Sequence, residues 1–371
     1  MTHIIRQAKN IVVKIGSELL YNEKENNLCS ERLIKLVSDI STLYREGKNI
    51  IIVTSGSIAL GRKSILKDDN PVEINQLQAA AAVGQAKLIV AYEKILSLYY
   101  LPFAQVLYNI EDKDDPKRAY NTKATITELL NNRIIPIINE NNTVSQKDVA
   151  FKDNDELAAF IASLIQADVL ILFTSVKGLY SEDPRRNPDA VLVKVVDEIT
   201  DDVMALAKDS KSTYGKGGMK TKIEAAKYAT GHGCHVFITA ITDSKPVQRI
   251  ITHQEHTHFK PTLPKDENRK QWLMQQSVNQ NNRLVITKDA KSKMQKGLGI
   301  ELDDIISMRG VFRASDLVAI SVDNKRPFAK GIILYSADEL RDLLKYRCNI
   351  ESIVGDYIKC DVLQAHDIVF L

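Results

Sequence analysis

The stretch IIIVTSGSIALG, residues 50–61, decides how the rest of the chain is read. Ile50, Ile51, Ile52 and Val53 show no polar alternation, which is the texture of a strand covered on both faces, as in a parallel sheet lined by helices. Thr54, Ser55 and Gly56 follow at once, and a helical pattern begins after them. Three other places repeat the arrangement. Ile11-Val12-Val13 runs into Lys14, Ile134 to Ile138 into Asn139-Glu140-Asn141-Asn142, and Val169 to Phe173 into Thr174-Ser175. Open α/β sheets bind ligands outside the carboxyl ends of their strands, so the four polar clusters are expected to converge on one site.

Helical patterns alternate with these strands. Ser30 is expected to cap a helix whose Leu33, Leu36, Val37, Ile40, Leu43 and Tyr44 share one face, with Gly47 ending it. A second helix spans Gln76 to Leu98, where Ala79 to Ala82 and Gly84 permit close packing. Further elements are expected at Pro102 to Leu107, Tyr120 to Asn131, Asp153 to Gln166, Lys220 to Thr230 and His235 to Thr239. Together they predict an α/β domain with a doubly wound, mostly parallel sheet over residues 1–262. Pro261, Pro264 and the charged run from Lys265 to Lys270 mark a linker over 263–280. Residues 281–371 then read as a small β-rich domain, with strand-like pieces at Leu284 to Ile286, Leu317 to Ile320 and Gly331 to Tyr335, and one helix from Ala337 to Lys345.

A length of 371 residues exceeds most single cores, which agrees with two domains. The chain is 44% hydrophobic and 26% charged, the mix of a soluble globular protein, and its net charge of +3 argues neither for nor against nucleic acid. Cys29, Cys234, Cys348 and Cys360 have no CxxC spacing, so neither a zinc ribbon nor a disulfide framework is indicated, and a reducing cytoplasm is the expected location. The start of the chain lacks a secretory h-region, and no run approaches the roughly 20 apolar residues of a membrane span. No membrane association is expected.

Several motifs suit phosphate chemistry. Lys14-Ile15-Gly16-Ser17 sets a cation and a glycine at a strand end, although a lysine beside a glycine turn is more often a surface residue. Thr54 to Gly61 offers backbone N–H donors to an anion at a helix start; a tight turn with Ser55 or Ser57 as N-cap reads equally well. Gly215-Lys216-Gly217-Gly218-Met219-Lys220-Thr221-Lys222 does not match GxxxxGK[ST] and follows no strand, so it reads as a cationic loop entering a helix, able to fold over a triphosphate. Asp153 and Glu156 read as first-turn residues complementing a helix dipole. His253, His256 and His258 lack a zincin spacing and His232 and His235 flank a glycine turn, so no metal site is expected from them. Kinase HRD and DFG signatures are absent, as is GxGxxG after the first strand.

With these motifs in order, the first 260 or so residues resemble the amino-acid kinase superfamily and, within it, the glutamate 5-kinase family. The pieces that carry the likeness are VVKIGS (12–17), IVTSGSIALG (52–61), AAVGQ (81–85), PIINENNTV (136–144), DNDELAA (153–159), KGLYSEDPR (177–185) and GKGGMKTK (215–222). NRKQW (268–272) carries it on into a C-terminal PUA-like domain. The resemblance implies transfer of the ATP γ-phosphoryl group, with Mg2+, to the side-chain carboxylate of L-glutamate, the first step of proline biosynthesis. It implies that Lys14 and Lys222 neutralise the phosphoryl group and that Asp155 holds the lysines in register. Ser55, Asn142 and Asn154 fall where the family binds glutamate. Lys14, Thr174, Ser175, Lys216, Gly217, Gly218, Met219, Lys220, Thr221 and Lys222 fall where it binds ATP. A homo-oligomer and feedback inhibition by proline are implied in the same way.

The chain departs from the family pattern in three places. Asn142 stands where Asp is usual, removing a charge suited to the substrate ammonium; losing one charge-assisted hydrogen bond costs about 1–2 kcal/mol. Ser175 replaces a common Asp and Lys216 a common Thr. Asp304 and Ser315 stand where glycine is frequent in the PUA-like domain, which makes RNA binding doubtful. The competing reading is an RNA-binding or regulatory protein with an inactive kinase domain, using Lys293, Lys296, Arg309 and Arg313 on phosphates.

Overall fold

The long strands of the first unit form where apolar runs give way to polar residues: β1 (Asn10–Ile15), β2 (Asn49–Thr54), β3 (Phe103–Tyr108), β4 (Ile135–Glu140) and β5 (Val169–Thr174), with the two-residue β6 (Val195–Val196), then β7 (His235–Ala240) and β8 (Thr257–Phe259). Between them run α1 (Ser30–Arg45), α2 (Ser57–Ile65), α3 (Ile74–Leu98), α4 (Pro116–Asn131), α5 (Asp155–Leu164), α6 (Met219–Gly231) and α7 (Pro246–Thr252). The computed structural model describes residues 2–22, 27–65, 73–144, 154–207, 218–241, 245–252, 255–262, 270, 273–274, 277–279, 281–314, 316–322, 326–353 and 361–371. The chain divides into one unit of residues 1–114 and 122–263 and another of 115–121 and 264–371. Most of the stretch 263–280 lies outside the described residues; within it Leu273 is buried and the Met274 carbonyl accepts from Lys330 Nζ at 2.9 Å.

The strands make one sheet in the order β3-β4-β2-β1-β5-β7-β8-β6. It is parallel from β3 to β7; β8 runs antiparallel to β7 and parallel to β6. The last two strands have three and two residues, too few to show a period, which is why the sequence pattern fades there.

Strand alternation sorts the two faces. Ile11, Val13, Ile15, Ile50, Ile52, Ile171 and Phe173 belong to a core shared with Leu33, Leu36, Leu88, Tyr92, Val247 and Ile250 of α1, α3 and α7. Val12, Lys14, Val53, Leu170 and Leu172 therefore point to the opposite face, where α5 packs on β1 and β5 and against α6. Lys14 is consequently the one β1 side chain that carries a charge into the helix layer.

Two local features differ from the sequence reading or sharpen it. Ser30 is the first helical residue of α1, with Cys29 in the cap position and no side-chain cap bond, whereas Gly47 ends the helix as expected with φ 86°. The glycines of α2 and α3 bring the two backbones together. A Cβ on Gly84 would fall 1.6 Å from the Ser57 carbonyl oxygen, and one on Gly61 would fall 1.9 Å from that of Ala80. This contact seats the residue after Gly84 beside the strand ends.

The second unit has a five-stranded sheet in the order β10-β9-β11-β12-β13, from β9 (Arg283–Ile286), β10 (Ile305–Arg309), β11 (Leu317–Val322), β12 (Ala329–Ile332) and β13 (Ile368–Phe370). Besides the expected helix, now α9 (Ala337–Ile353), it contains α8 (Lys288–Gln295). Only Ala290 and Met294 of α8 are buried, too thin a stripe to read from sequence, but the Thr287 hydroxyl caps it by accepting from Ala290 N–H at 3.1 Å.

The β7–β8 edge carries a buried histidine group. His258 stacks on Phe237, ring centroids 4.5 Å apart, and its Nε2 lies 3.0 Å from His235 Nδ1; His256 meets Phe237 edge-on. Burial pushes His256 down to about 4, and burial with the nearby charges of His235, His256 and Lys260 pushes His258 down to about 3, from the usual 6.5. The unfolded chain therefore binds protons below pH 6.5 that the folded chain refuses, so stability is full above that pH and lost as pH falls toward the folded values. Denaturant midpoints are expected to drop steadily from pH 7 to pH 5, and a flat profile over that range would contradict the burial of neutral imidazoles.

Candidate active site

Lys14 is the penultimate residue of β1, two before Gly16, and its ammonium meets Asp155 Oδ1 at 2.7 Å, both side chains fully buried. Asp155 opens α5. Its other oxygen receives Lys222 Nζ at 3.1 Å from the first turn of α6, and the Thr221 hydroxyl lies 3.0 Å away. Three elements thus deliver two cations to one carboxylate, and the triad sums to one positive charge. A carboxylate held only for the helix dipole would sit exposed. Asp155 is instead a buried counter-ion, whereas its neighbour Glu156 pairs at the surface with Lys113 at 2.6 Å.

On the β2–β4 side, Asn154 donates through Nδ2 to the Thr54 carbonyl and, at 2.8 Å, to Asn139 Oδ1. Asn139 Nδ2 donates to Gln85 Oε1 at 2.7 Å, and its Oδ1 also accepts from Glu140 N–H at 2.9 Å. Tyr92, fully buried, holds the Thr54 hydroxyl at 2.9 Å, and burial pushes its phenol far above the ordinary range. Ser55 Oγ lies 3.3 Å from the Ile15 carbonyl, and Gly56 with φ 104° turns the chain into α2. Asn142 Nδ2 lies 3.3 Å from the Glu140 carbonyl, while its Oδ1 is buried without a hydrogen-bond partner among the described residues.

On the β5 side, Thr174 is buried and its hydroxyl sits 3.4 Å from Glu18 Oε1, on the short helix Ser17–Leu20 after β1. Ser175 is exposed. Gly218 occupies the cap position of α6 and Met219 its first turn; Lys220 is exposed and faces Glu224 at 3.9 Å rather than the triad. Lys216, Gly217, Asp153 and Ser315 lie outside the described residues. In the second unit Asp304 is buried, bonded to Glu301 N–H at 3.0 Å and paired with Lys293 at 2.9 Å, so both side chains are used internally.

The structure brings Lys14, Asp155, Lys222 and Thr221 into contact, and Asn154 with Thr54 and Asn139. Sequence reasoning did not single out Gln85, Tyr92 or Glu18. Gln85 closes the AAVGQ piece (81–85) that carries part of the family likeness, but that piece gave it no role.

The parallel α/β sheet carries two lysines and a shared carboxylate at its carboxyl edge, and the chain matches the amino acid kinase family over residues 9–240 and the PUA domain over 282–349. It belongs to the amino acid kinase family. Its relatives narrow this to one branch. It is 33% identical over 367 residues to the glutamate 5-kinase of Bradyrhizobium diazoefficiens, covering 98% of both chains. It is 37% identical over 351 residues to that of Ruegeria sp. (strain TM1040), covering 94% of both. Carbamate kinase from Giardia lamblia bound to AMP-PNP shares the fold, with a TM-score of 0.50 at 14% identity over 70% of this chain and 99% of that one.

Removing one partner of a buried ion pair strands the other, at about 3–5 kcal/mol. Asp155→Asn is therefore expected to lower unfolding free energy by at least about 3 kcal/mol in urea titration, while Glu156→Gln, at the exposed pair, shifts it by less than about 1 kcal/mol.

Proposed function

We infer that this chain is a glutamate 5-kinase, transferring the ATP γ-phosphoryl group to the side-chain carboxylate of L-glutamate and yielding L-glutamyl 5-phosphate for proline biosynthesis. The observation that carries this reading is the order of the site along the sheet. The candidate glutamate residues Ser55, Asn142 and Asn154 lie by β2 and β4, the candidate ATP residue Thr174 ends β5, and Lys14 stands on β1 between them. A group passing from one side to the other crosses the Lys14–Asp155–Lys222 triad. Nearly full-length relatives named glutamate 5-kinase supply the acceptor's identity.

A carboxylate oxygen attacks the γ-phosphorus and the β–γ bridging oxygen leaves with ADP. The nucleophile is already ionised, so no side chain has to remove a proton. What remains is alignment of two anions and neutralisation of their charge. Lys14 and Lys222 supply that charge, and Asp155 fixes both ammonium groups at their bonding distances so that little reorganisation accompanies transfer. Gly218 and Met219 at the start of α6 offer backbone N–H groups to the nucleotide phosphates.

Both Asp155 oxygens are taken by lysines, which suits a magnesium ion held by phosphate oxygens and water rather than by a protein cage. Bound with ATP, such an ion neutralises the phosphate charge. Asn154 and Asn142 each present an amide oxygen, an acceptor that matches the substrate ammonium. Cytoplasmic residence, a homo-oligomer and feedback inhibition by proline go with the same reading; among the described residues no helix is long and apolar enough to cross a membrane.

Hydroxylamine trapping of acyl phosphate tests the reaction. Purified protein with Mg-ATP is expected to give hydroxamate with L-glutamate and none with L-aspartate, N-acetyl-L-glutamate or no acceptor. Absence of product with every acceptor, in protein that binds ATP, would overturn the assignment.

A further inference from the structure

The hydrogen bonds behind Asn154 can run in one direction only. Glu140 N–H is a backbone donor, so the Asn139 atom that meets it at 2.9 Å is the oxygen, and the amide nitrogen must point the other way, to Gln85 Oε1 at 2.7 Å. The partners of Asn154, the Thr54 carbonyl and Asn139 Oδ1, both accept. The atom between them is therefore Nδ2, and both of its hydrogens are used. Asn154 Oδ1 is left on the side of the amide away from this chain of bonds, with no hydrogen-bond partner among the described residues. Backbone groups fix both ends, so the amide orientations follow from chemistry rather than from a choice between oxygen and nitrogen.

Asn139 is almost fully buried, at 1% exposure, so its amide hydrogens have no water to turn to. Gln85 supplies the acceptor, and the close approach of Gly84 to the Ser57 backbone holds Gln85 in place. Without that acceptor, the Asn139 amide would have to rotate toward some other group or leave a buried donor unmet. Either change disturbs the oxygen on which Asn154 depends.

We propose that Gln85 is a positioning residue for the amino-acid substrate: through Asn139 it locks Asn154 with its carbonyl oxygen presented to the substrate ammonium. The proposal rests on the glutamate reading above for the identity of that ammonium. Gln85 itself sits one residue removed from the substrate-facing side chain, so it acts on affinity and choice of acceptor rather than on the transfer step.

The test compares wild type with Gln85→Met and Gln85→Ala, which lack the acceptor, and with Gln85→Glu, which keeps it. Losing one oriented hydrogen bond is expected to raise the KM for L-glutamate about tenfold in the first two. Their kcat and KM for ATP are expected to stay near wild type, and their preference for glutamate over glutarate, which lacks the amino group, to fall by about the same factor. Gln85→Glu is expected to recover most of the loss. Unchanged KM and preference, or equal changes toward ATP and glutamate, would overturn the proposal. If wild type fails to phosphorylate glutamate, the functional reading falls, and the positioning role is still decided by NMR. The Asn154 side-chain amide protons, protected in wild type, are expected to exchange at least about tenfold faster in Gln85→Met and to regain protection in Gln85→Glu. Exchange that does not move would overturn it.

Discussion

Everything in the first unit is arranged around a carboxylate that water does not reach. Asp155 is buried between two ammonium groups that are buried as well, at 2.7 and 3.1 Å. Taking such ions out of water is expensive, and a well-packed apolar substitute is often as stable or more so. A triad of this kind is therefore poor material for holding a fold together and good material for holding charge in a fixed place. Its excess of one positive charge suits an anion arriving at the strand ends, and phosphoryl transfer from ATP to a carboxylate brings several anionic groups to one point.

The sheet turns that charge into a directional site. Period-two alternation sends Ile11, Val13 and Ile15 into one helix layer and Lys14 into the other, where the first turns of α5 and α6 deliver Asp155 and Lys222. A shift of one residue in β1 would exchange the faces and bury the lysine among leucines. The register of Lys14 opposite Val53 and Leu172 keeps it between the two halves of the sheet. Asparagines gather on one side and Thr174 and the entry to α6 on the other. The second unit has its own sheet and core, and its Asp304 and Lys293 are spent on each other.

Much of this was legible in the sequence, and for identifiable reasons. Unbroken runs such as Ile50 to Val53 can be strands buried on both faces, and the polar residue ending each run marks the carboxyl edge of the sheet, the edge at which open α/β sheets bind ligands. Lys14, Asp155 and Lys222 could be picked out by likeness to known motifs, but their mutual contact could not, because 141 residues separate the first two and only the fold joins them. First-turn acids usually serve the helix dipole, so nothing local distinguishes Asp155, fully buried, from Glu156 at the surface. Gln85 was hidden for a different reason. Its role depends on a helix-to-helix approach at Gly84 and on a strand end from another part of the chain. The short strands β6 and β8 and the helix α8 were missed because so few of their residues are apolar in a countable period.

The central claim is that Lys14 and Lys222 work as one unit because a single carboxylate holds both. A double-mutant cycle on kcat with Lys14→Met, Lys222→Met and the pair tests it most directly, read by single-turnover formation of acyl phosphate. The account predicts strong non-additivity, the pair losing little more than the more damaging single change, since either change already breaks the unit. Losses that simply multiply would show two independent lysines and contradict it.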